Sequence, residues 1–159
     1  MKITIVCVGR IKEKYWALAM EEYAKRLSRY CKLEIVELRD EKTPDGCADA
    51  VSRQILAREG ERILGALKGG EYAVALAIDG KRLDSPGFAR LIDGLGTGGR
   101  SHIAFVIGGS LGLDGAVLER SDCVLSFSDM TFPHQMMRVI LLEQIYRAYR
   151  INNNEPYHK

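Results

Sequence analysis

Two apolar runs in the second half of the chain each end in residues that can hold a flat ligand. The run Ile103 to Ile107 leads into Gly108-Gly-Ser-Leu-Gly112, and the run Cys123 to Phe127 leads into a short polar turn ending at Pro133. Glycine lets a ligand approach backbone N–H and C=O groups without an intervening Cβ. Either turn alone is equally compatible with an ordinary strand-to-helix connection. Because open α/β sheets bind ligands where strand ends meet a crevice, the two turns together predict a ligand site.

The glycine turn raises the alternative of a flavin- or dinucleotide-binding oxidoreductase. It follows a strand, opens a short helix and has Asp129 about twenty residues further on. However, the spacing is Gly-Gly-x-x-Gly rather than Gly-x-Gly-x-x-Gly, and only one helix follows the unit, whereas a dinucleotide fold needs further βα units. No Gly-Lys-Ser/Thr motif follows the glycines. A nucleoside without a pyrophosphate is therefore the favoured ligand.

The elements that must position this site alternate between strands and helices. Apolar runs predict the strands, and spacings of three and four predict amphipathic helices between them. The predicted elements are a strand over Met1–Gly9, a helix over Lys12–Tyr30, an edge strand over Leu33–Leu38, a loop over Arg39–Cys47, a helix over Asp49–Lys68, a strand over Tyr72–Asp79 that turns at Asp79-Gly80, a helix starting at Ser85-Pro86, a loop over Gly94–Gly99, a strand from Ile103, a short helix capped by Asp114, a strand from Cys123 and a helix over His134–Arg150. This order predicts one α/β domain, residues 1–159, with a mainly parallel sheet of about five strands flanked by helices.

Length and composition are those of an ordinary globular domain, with 159 residues, 47% of them hydrophobic and 28% charged. The apolar run Ile3 to Val8 is too short to span a membrane, and no cleavage site follows it. The four cysteines are widely spaced, without a Cys-x-x-Cys pair. We therefore expect a reduced cytoplasmic protein with no membrane contact and no metal.

The charge is unevenly distributed around a net value of +2. Seven basic and three acidic residues lie between Arg10 and Lys32, whereas the segment 33–62 is acidic and the segment 138–159 is basic again. The two basic segments are typical of a protein that binds an anion over one limited part of its surface. However, runs of charged residues are commonly just solvent-exposed faces. Tyr15 and Trp16 could stack on nucleic-acid bases or belong to the core, and the sequence leaves both interpretations open.

The last predicted helix is apolar on more than one side between Met136 and Tyr149. Such a helix must be buried on more than one side. Because the sheet can cover only one of these sides in a small domain, we expect a homodimer that packs on this helix.

Four motifs and one arginine in the second half of the chain occur together in one order. They are Ile107-Gly-Gly-Ser-Leu-Gly112, Leu125-Ser-Phe-Ser-Asp-Met-Thr-Phe-Pro-His134, Arg138, Glu143-Gln-Ile-Tyr-Arg-Ala-Tyr149 and Pro156-Tyr-His-Lys159. Together they closely resemble the small SPOUT-class methyltransferases of ribosomal RNA. The resemblance covers the whole chain and is closest to members that methylate N3 of a pseudouridine in large-subunit (23S) ribosomal RNA. It implies a C-terminal trefoil knot, an obligate homodimer and S-adenosylmethionine as the methyl donor. The periodicity gives no reason to expect a knot, because chains are in general unknotted.

The resemblance assigns the cofactor positions to three neighbouring strand ends. They are Leu76, Gly108, Phe127, Ser128, Asp129, Met130, Thr131 and Phe132. These positions coincide with the crevice predicted from the two turns. A sulfonium becomes neutral during methyl transfer, so strong negative charge beside it is not wanted at the transition state. We therefore expect Asp129 to serve a turn or a ligand hydroxyl rather than the sulfur.

The acceptor N3–H must lose its proton, which calls for a weak base or a group that orients the base. The candidates are His158 and Tyr157 in the C-terminal tail, with Arg147 gripping a phosphate or polarising a base carbonyl. A tail of this kind is ordinarily a frayed terminus, but its Tyr-His ending matches the family. We expect His134 to be a helix-start contact, and Arg138 could be either a core-edge residue or a substrate clamp.

The modest charge and the absence of an appended RNA-binding domain favour recognition by shape, hence a preassembled ribosomal surface rather than free RNA. The remaining alternative is a non-catalytic protein that binds RNA or the ribosome.

Overall fold

Five strands form one parallel sheet in the computed structural model, which describes residues 1–157. The strands are β1 (Lys2–Val8), β2 (Lys32–Leu38), β3 (Tyr72–Arg82), β4 (His102–Ile107) and β5 (Cys123–Ser126). The helices are α1 (Lys14–Leu27), α2 (Asp49–Ala66), α3 (Ser85–Thr97), α4 (Gly115–Arg120) and α5 (His134–Asn152). The strand order is β2-β1-β4-β3-β5, and every pairing is parallel. The predicted α/β class and the edge position of β2 are confirmed.

The central strands are apolar on both faces because helices cover the sheet from both sides. In β1, every residue from Ile3 to Val8 is buried, and so is every residue of β4 from Ile103 to Ile107. Helices α1, α3 and α5 cover one face, and α2 and α4 cover the other. Continuous apolar runs of this kind are typical of parallel strands that have no solvent-facing side.

Strand β3 is longer than predicted, because Asp79-Gly80 does not turn the chain. After Leu76 the pairing with β5 shifts register, and Lys81 and Arg82 then pair with Leu125 and Ser126. Gly80 makes the close approach possible, since a Cβ at this position would lie 2.5 Å from the carbonyl carbon of Leu125. A glycine inside a strand pattern can thus mark a bulge instead of a turn.

Two boundaries of α3 also differ from the prediction. The N-cap is Asp84, whose carboxylate accepts a hydrogen bond from the Gly87 backbone N–H, while the Ser85 hydroxyl donates to Gln144 on α5. Gly94 and Gly96 lie inside the helix, which continues to Thr97. Tertiary packing of Phe88, Ala89 and Ile92 against the sheet stabilises the helix despite its glycines.

Helix α5 lies between α1 and α3 on the sheet. Its most buried apolar residues are Leu141, Leu142, Ile145 and Ala148. Neighbouring helices of the same subunit therefore cover more of α5 than the sequence led us to expect. The homodimer and the trefoil knot stay predictions. Within residues 1–157, no helix is both long and apolar enough to cross a membrane.

Candidate functional site

The carboxyl ends of β3, β4 and β5 open onto one cavity of about 720 Å³. Its volume is in the range of small-molecule and cofactor sites. The cavity is lined by Leu76 to Ile78, Ile107 to Leu113, Ser126 to Ser128, Met130 to His134, and Met137. The structure thus brings together seven of the eight predicted cofactor positions, all except Asp129.

The glycine turn forms the wall of this cavity beside β4. The Gly112 backbone N–H donates to the Gly109 carbonyl at 3.2 Å, and φ at Gly112 is +87°. Gly108 packs so closely on the turn that a Cβ there would lie 2.2 Å from the Gly112 carbonyl oxygen. The turn therefore requires glycine at 108 because of packing and favours it at 112 because of backbone conformation.

The loop between β5 and α5 forms the opposite wall. The Ser126 hydroxyl donates to the Ser128 carbonyl at 3.2 Å, and the Ser128 hydroxyl accepts from the Met130 N–H at 2.9 Å. Asp129 is exposed and forms an ion pair with Arg82 at the bulged end of β3. This carboxylate therefore lies outside the cavity lining, and His134 is the one titratable residue among the described lining residues.

Arg138 is fully buried behind this cavity and fixes the end of β1. Its guanidinium donates to the Val8 carbonyl at 2.8 Å, to the Gly9 carbonyl at 2.9 Å and to Glu37 Oε1 at 2.7 Å. A side chain with no exposed surface cannot grip RNA, so of the two open interpretations the structure favours an internal anchor. Charged groups are buried only when they are paired in this way.

His134 connects this anchor to the cavity. A Cβ on Gly9 would lie 3.4 Å from the imidazole Nε2, so the ring packs directly against the end of β1. Burial, together with the positive charge of Arg138, lowers the pKa of His134 below its ordinary value. The imidazole is therefore held in its neutral form at the edge of the site, at the first position of α5.

Glu59 supports the glycine turn from behind and was not predicted from the sequence. Its side chain is 4% exposed, accepts the Glu41 N–H at 2.9 Å, and leaves so little room that a Cβ on Gly109 would lie 2.8 Å from Oε2. Burial raises the pKa of this carboxyl. In the sequence, a buried glutamate in the middle of a helix looks the same as an exposed one, so only the tertiary contacts reveal the role of Glu59.

Two predicted catalytic residues, Arg147 and Tyr157, lie together on Glu143. Arg147 donates to Glu143 at 2.6 Å, its guanidinium lies 4.7 Å from the centre of the Tyr157 ring, and the Tyr157 hydroxyl donates to Glu143 at 3.3 Å. Arg147 follows the cavity residue His134 by 13 positions on α5, which corresponds to about 20 Å along a helix. The third candidate, His158, lies outside the described residues.

The Tyr157 hydroxyl is held in its protonated form. Burial and the nearby Tyr23 and Glu143 raise its pKa to about 12. At neutral pH this group can therefore donate a hydrogen bond but is a poor acceptor of a proton.

Comparison with known proteins agrees with this geometry. The family model described as "Predicted SPOUT methyltransferase" matches residues 1–158. A protein named ribosomal RNA large subunit methyltransferase H from Bifidobacterium adolescentis is 61% identical over 159 residues, with full coverage of both chains. The chain belongs to the SPOUT methyltransferase family.

Solved structures of methyltransferases show the same fold at low sequence identity. A probable methylase family protein of Haemophilus influenzae aligns with a TM-score of 0.61 and 13% identity, over 99% of this chain and 70% of that one. A Legionella pneumophila methyltransferase, solved in complex with the cofactor SAM, aligns with a TM-score of 0.50 and 12% identity over 94% of this chain and 66% of its own. The chain is thus similar to methyltransferases in its fold as well as in its sequence.

Proposed function

We propose that the protein is an S-adenosylmethionine-dependent methyltransferase that acts on N3 of a pseudouridine in large-subunit (23S) ribosomal RNA. The observation that carries the proposal is the cavity at the ends of β3, β4 and β5, in a chain that is 61% identical over its whole length to a named large-subunit ribosomal RNA methyltransferase. The SAM-bound Legionella protein of the same fold supports the cofactor.

The residues that line the cavity fit this cofactor. Leu76, Ile107, Leu111 and Phe127 offer apolar walls for an adenine ring, and the Gly108 turn offers backbone groups at its edge. No carboxylate lines the cavity among the described residues, which suits a sulfonium whose positive charge disappears on methyl transfer. We propose that these residues, together with Ser128, Met130, Thr131 and Phe132, hold the cofactor, and that Asp129 acts from outside by fixing the loop through Arg82.

The cofactor supplies an electrophilic methyl group, and the task of the protein is alignment. Holding the donor and the acceptor nitrogen in a productive geometry can lower the barrier by roughly 7–11 kcal/mol. The walls described above would orient the donor, and their apolar side chains would exclude water that competes with the acceptor. No metal is required for this displacement.

We propose that the C-terminal tail that completes the site comes from a second subunit. Arg147 lies about 15–20 Å along α5 from the cavity residues Met137 and His134, and Tyr157 packs beside Arg147, so neither residue lines the cavity of its own subunit. In a homodimer, the tail of one subunit could reach the cavity of the other. Tyr157 would then donate a hydrogen bond, Arg147 would bind a phosphate or a base carbonyl, and His158 would accept the N3 proton.

Transfer of labelled methyl groups to ribosomal RNA tests the proposal. We expect the protein to methylate cytoplasmic large subunits or assembled ribosomes faster than protein-free RNA, with the methyl group mapped by mass spectrometry to N3 of a pseudouridine. Calorimetry should show binding of S-adenosylmethionine but not of NAD or FMN, which separates this function from the oxidoreductase alternative. Binding to ribosomes without any methyl transfer would contradict the proposal and favour a non-catalytic ribosome-binding protein.

A further inference from the structure

We propose that a basic patch, which runs from the end of β1 into the first turn of α1, binds the segment of RNA that carries the target nucleotide. The patch consists of Arg10, Lys12, Lys14 and Tyr15 and is called the β1–α1 patch below. The inference rests on the proposed function, because it takes the acceptor to be RNA. It assigns the contact with RNA to the N-terminal end of the basic segment between Arg10 and Lys32.

The β1–α1 patch lies beside the cofactor cavity. Strands β1 and β4 run parallel with Cys7 opposite Ile107, so the chain leaves β1 next to the point where β4 leads into the glycine turn. Gly9 packs against His134, which lines the cavity. The patch therefore begins one residue beyond a contact with the cavity wall, within reach of a nucleotide strand whose base enters the site.

The three cations of the patch are exposed and have no anionic partner of their own. Arg10, Lys12 and Lys14 form no side-chain hydrogen bond or ion pair with any other residue of 1–157, whereas Arg26 on α1 is paired with Glu22. The acidic residue in the segment, Glu13, is half-buried and its Oε2 is shielded from solvent. The outer surface of this segment is thus positive and available to phosphates.

Internal contacts hold the backbone of the patch in place. The Ile11 N–H donates to Glu37 Oε1 at 3.1 Å, and Arg138 donates to the same oxygen at 2.7 Å and to the Gly9 carbonyl. The loop is therefore fixed at both Gly9 and Ile11 by groups that are partly or fully buried. A loop that is already fixed loses less conformational entropy on binding than a flexible lysine-rich loop.

Tyr15 adds an exposed aromatic ring to these charges. Its side chain is 62% exposed, and its ring meets Trp16 edge-on with centroids 5.0 Å apart. Exposed aromatic rings beside unpaired cations are the combination by which proteins bind single-stranded nucleic acid, through stacking and phosphate contacts. Of the two interpretations of Tyr15 left open by the sequence, the structure favours contact with a base.

A second subunit is the alternative occupant, because Leu18 is also exposed one turn after Tyr15. The cores of subunit interfaces are depleted in lysine, however, and Lys12 and Lys14 lie just before the tyrosine in the chain. The three unpaired cations therefore favour an anionic partner, and contact with a second copy becomes an outcome of the test.

The test compares two triple variants that each remove three positive charges. The patch variant carries Arg10→Gln, Lys12→Gln and Lys14→Gln. The control carries Lys25→Gln, Arg29→Gln and Lys32→Gln, which are also exposed and unpaired within residues 1–157 but lie at the other end of α1 and at the start of β2. Because α1 has 14 residues, the two sets are separated by about 20 Å, the patch at the carboxyl ends of β1 and β2 and the control set at their amino ends.

We expect the patch variant to raise KM for ribosomal subunits by tenfold or more and to retain the affinity for S-adenosylmethionine. The dependence of log K on log salt between 50 and 200 mM should become less steep by about 2 to 3, since each lost phosphate contact contributes about 0.7 to 0.9. The control variant should change KM and the salt dependence much less. Tyr15→Ala should raise KM by roughly tenfold, while Tyr15→Phe, which keeps the ring, should stay close to the wild type.

Filter binding of large ribosomal subunits that carry radiolabelled RNA separates failure of this inference from failure of the proposed function. If the wild type binds RNA but transfers no methyl group, the proposed function fails, and the patch is still judged by the binding of the two triple variants. An unchanged affinity and salt slope in the patch variant would overturn the inference. So would dissociation of a dimer by Tyr15→Ala in analytical ultracentrifugation with RNA affinity retained, because Tyr15 would then be a subunit contact.

Discussion

Gly108→Ala tests whether the glycine turn has the shape that the cofactor requires. The added Cβ would lie 2.2 Å from the Gly112 carbonyl oxygen, whereas ordinary contact begins at 3.4 Å, so the turn must move by about 1.2 Å. Overpacking of this kind costs roughly 1–3 kcal/mol. If this displacement also moves the turn away from the bound ligand, the same free-energy cost lowers the affinity for S-adenosylmethionine by roughly fivefold to 150-fold.

Gly115→Ala is the matched control because it adds the same methyl group nearby. A Cβ on Gly115, the first residue of α4, meets nothing within 4 Å, and alanine is favoured over glycine in helices by about 0.5–1 kcal/mol. We expect this variant to bind the cofactor like the wild type and to be equally stable or slightly more stable.

Titration calorimetry, at a temperature where circular dichroism shows both variants folded, measures the affinity, and urea denaturation measures the free energy of unfolding. Wild-type affinity and stability in Gly108→Ala would refute the idea that the close contact between residues 108 and 112 shapes the site. Equal losses in both alanine variants would show that the effect is not specific to this contact.

Two further predictions concern the residues behind the cavity. Arg138→Met should lower the free energy of unfolding by roughly 2–5 kcal/mol, because two backbone carbonyls lose a buried donor, at roughly 1–3 kcal/mol each, and Glu37 keeps the Ile11 N–H but loses its cation. Urea denaturation should show a loss of less than about 0.5 kcal/mol for the exposed control Arg58→Met. Similar losses in both variants would contradict the anchor. The pKa of His134 is lower in the folded protein than its ordinary value of 6.5, so the fold favours the neutral imidazole. The contribution of this residue to the free energy of unfolding is therefore complete above pH 6.5, and it is lost as the pH falls through the lower pKa of the folded state. Thermal melts between pH 7.5 and 5 should therefore show a smaller acid-induced loss of stability in His134→Gln than in the wild type, and identical pH profiles would disprove this assignment.

The sequence by itself determined the local elements and the place of the site. Apolar runs and helical spacing identified all five strands and the helices between them, because side-chain periodicity is a local property of the chain. The two turns after Ile107 and Phe127 indicated a crevice, and a cavity lies there. The motifs around them were sufficient to identify the family.

Only the tertiary structure decided which distant residues meet. The strand order places β4 between β1 and β3, so Gly108 lies between Gly9 and Leu76 in space although these residues are far apart in the chain. Arg138 is an anchor because it meets Val8, 130 positions earlier, and Asp129 lies outside the cavity lining because it meets Arg82 across the bulge at Gly80. Periodicity carries no information about such pairings, since they depend on the packing of the whole sheet and on which polar groups must be satisfied once they are buried.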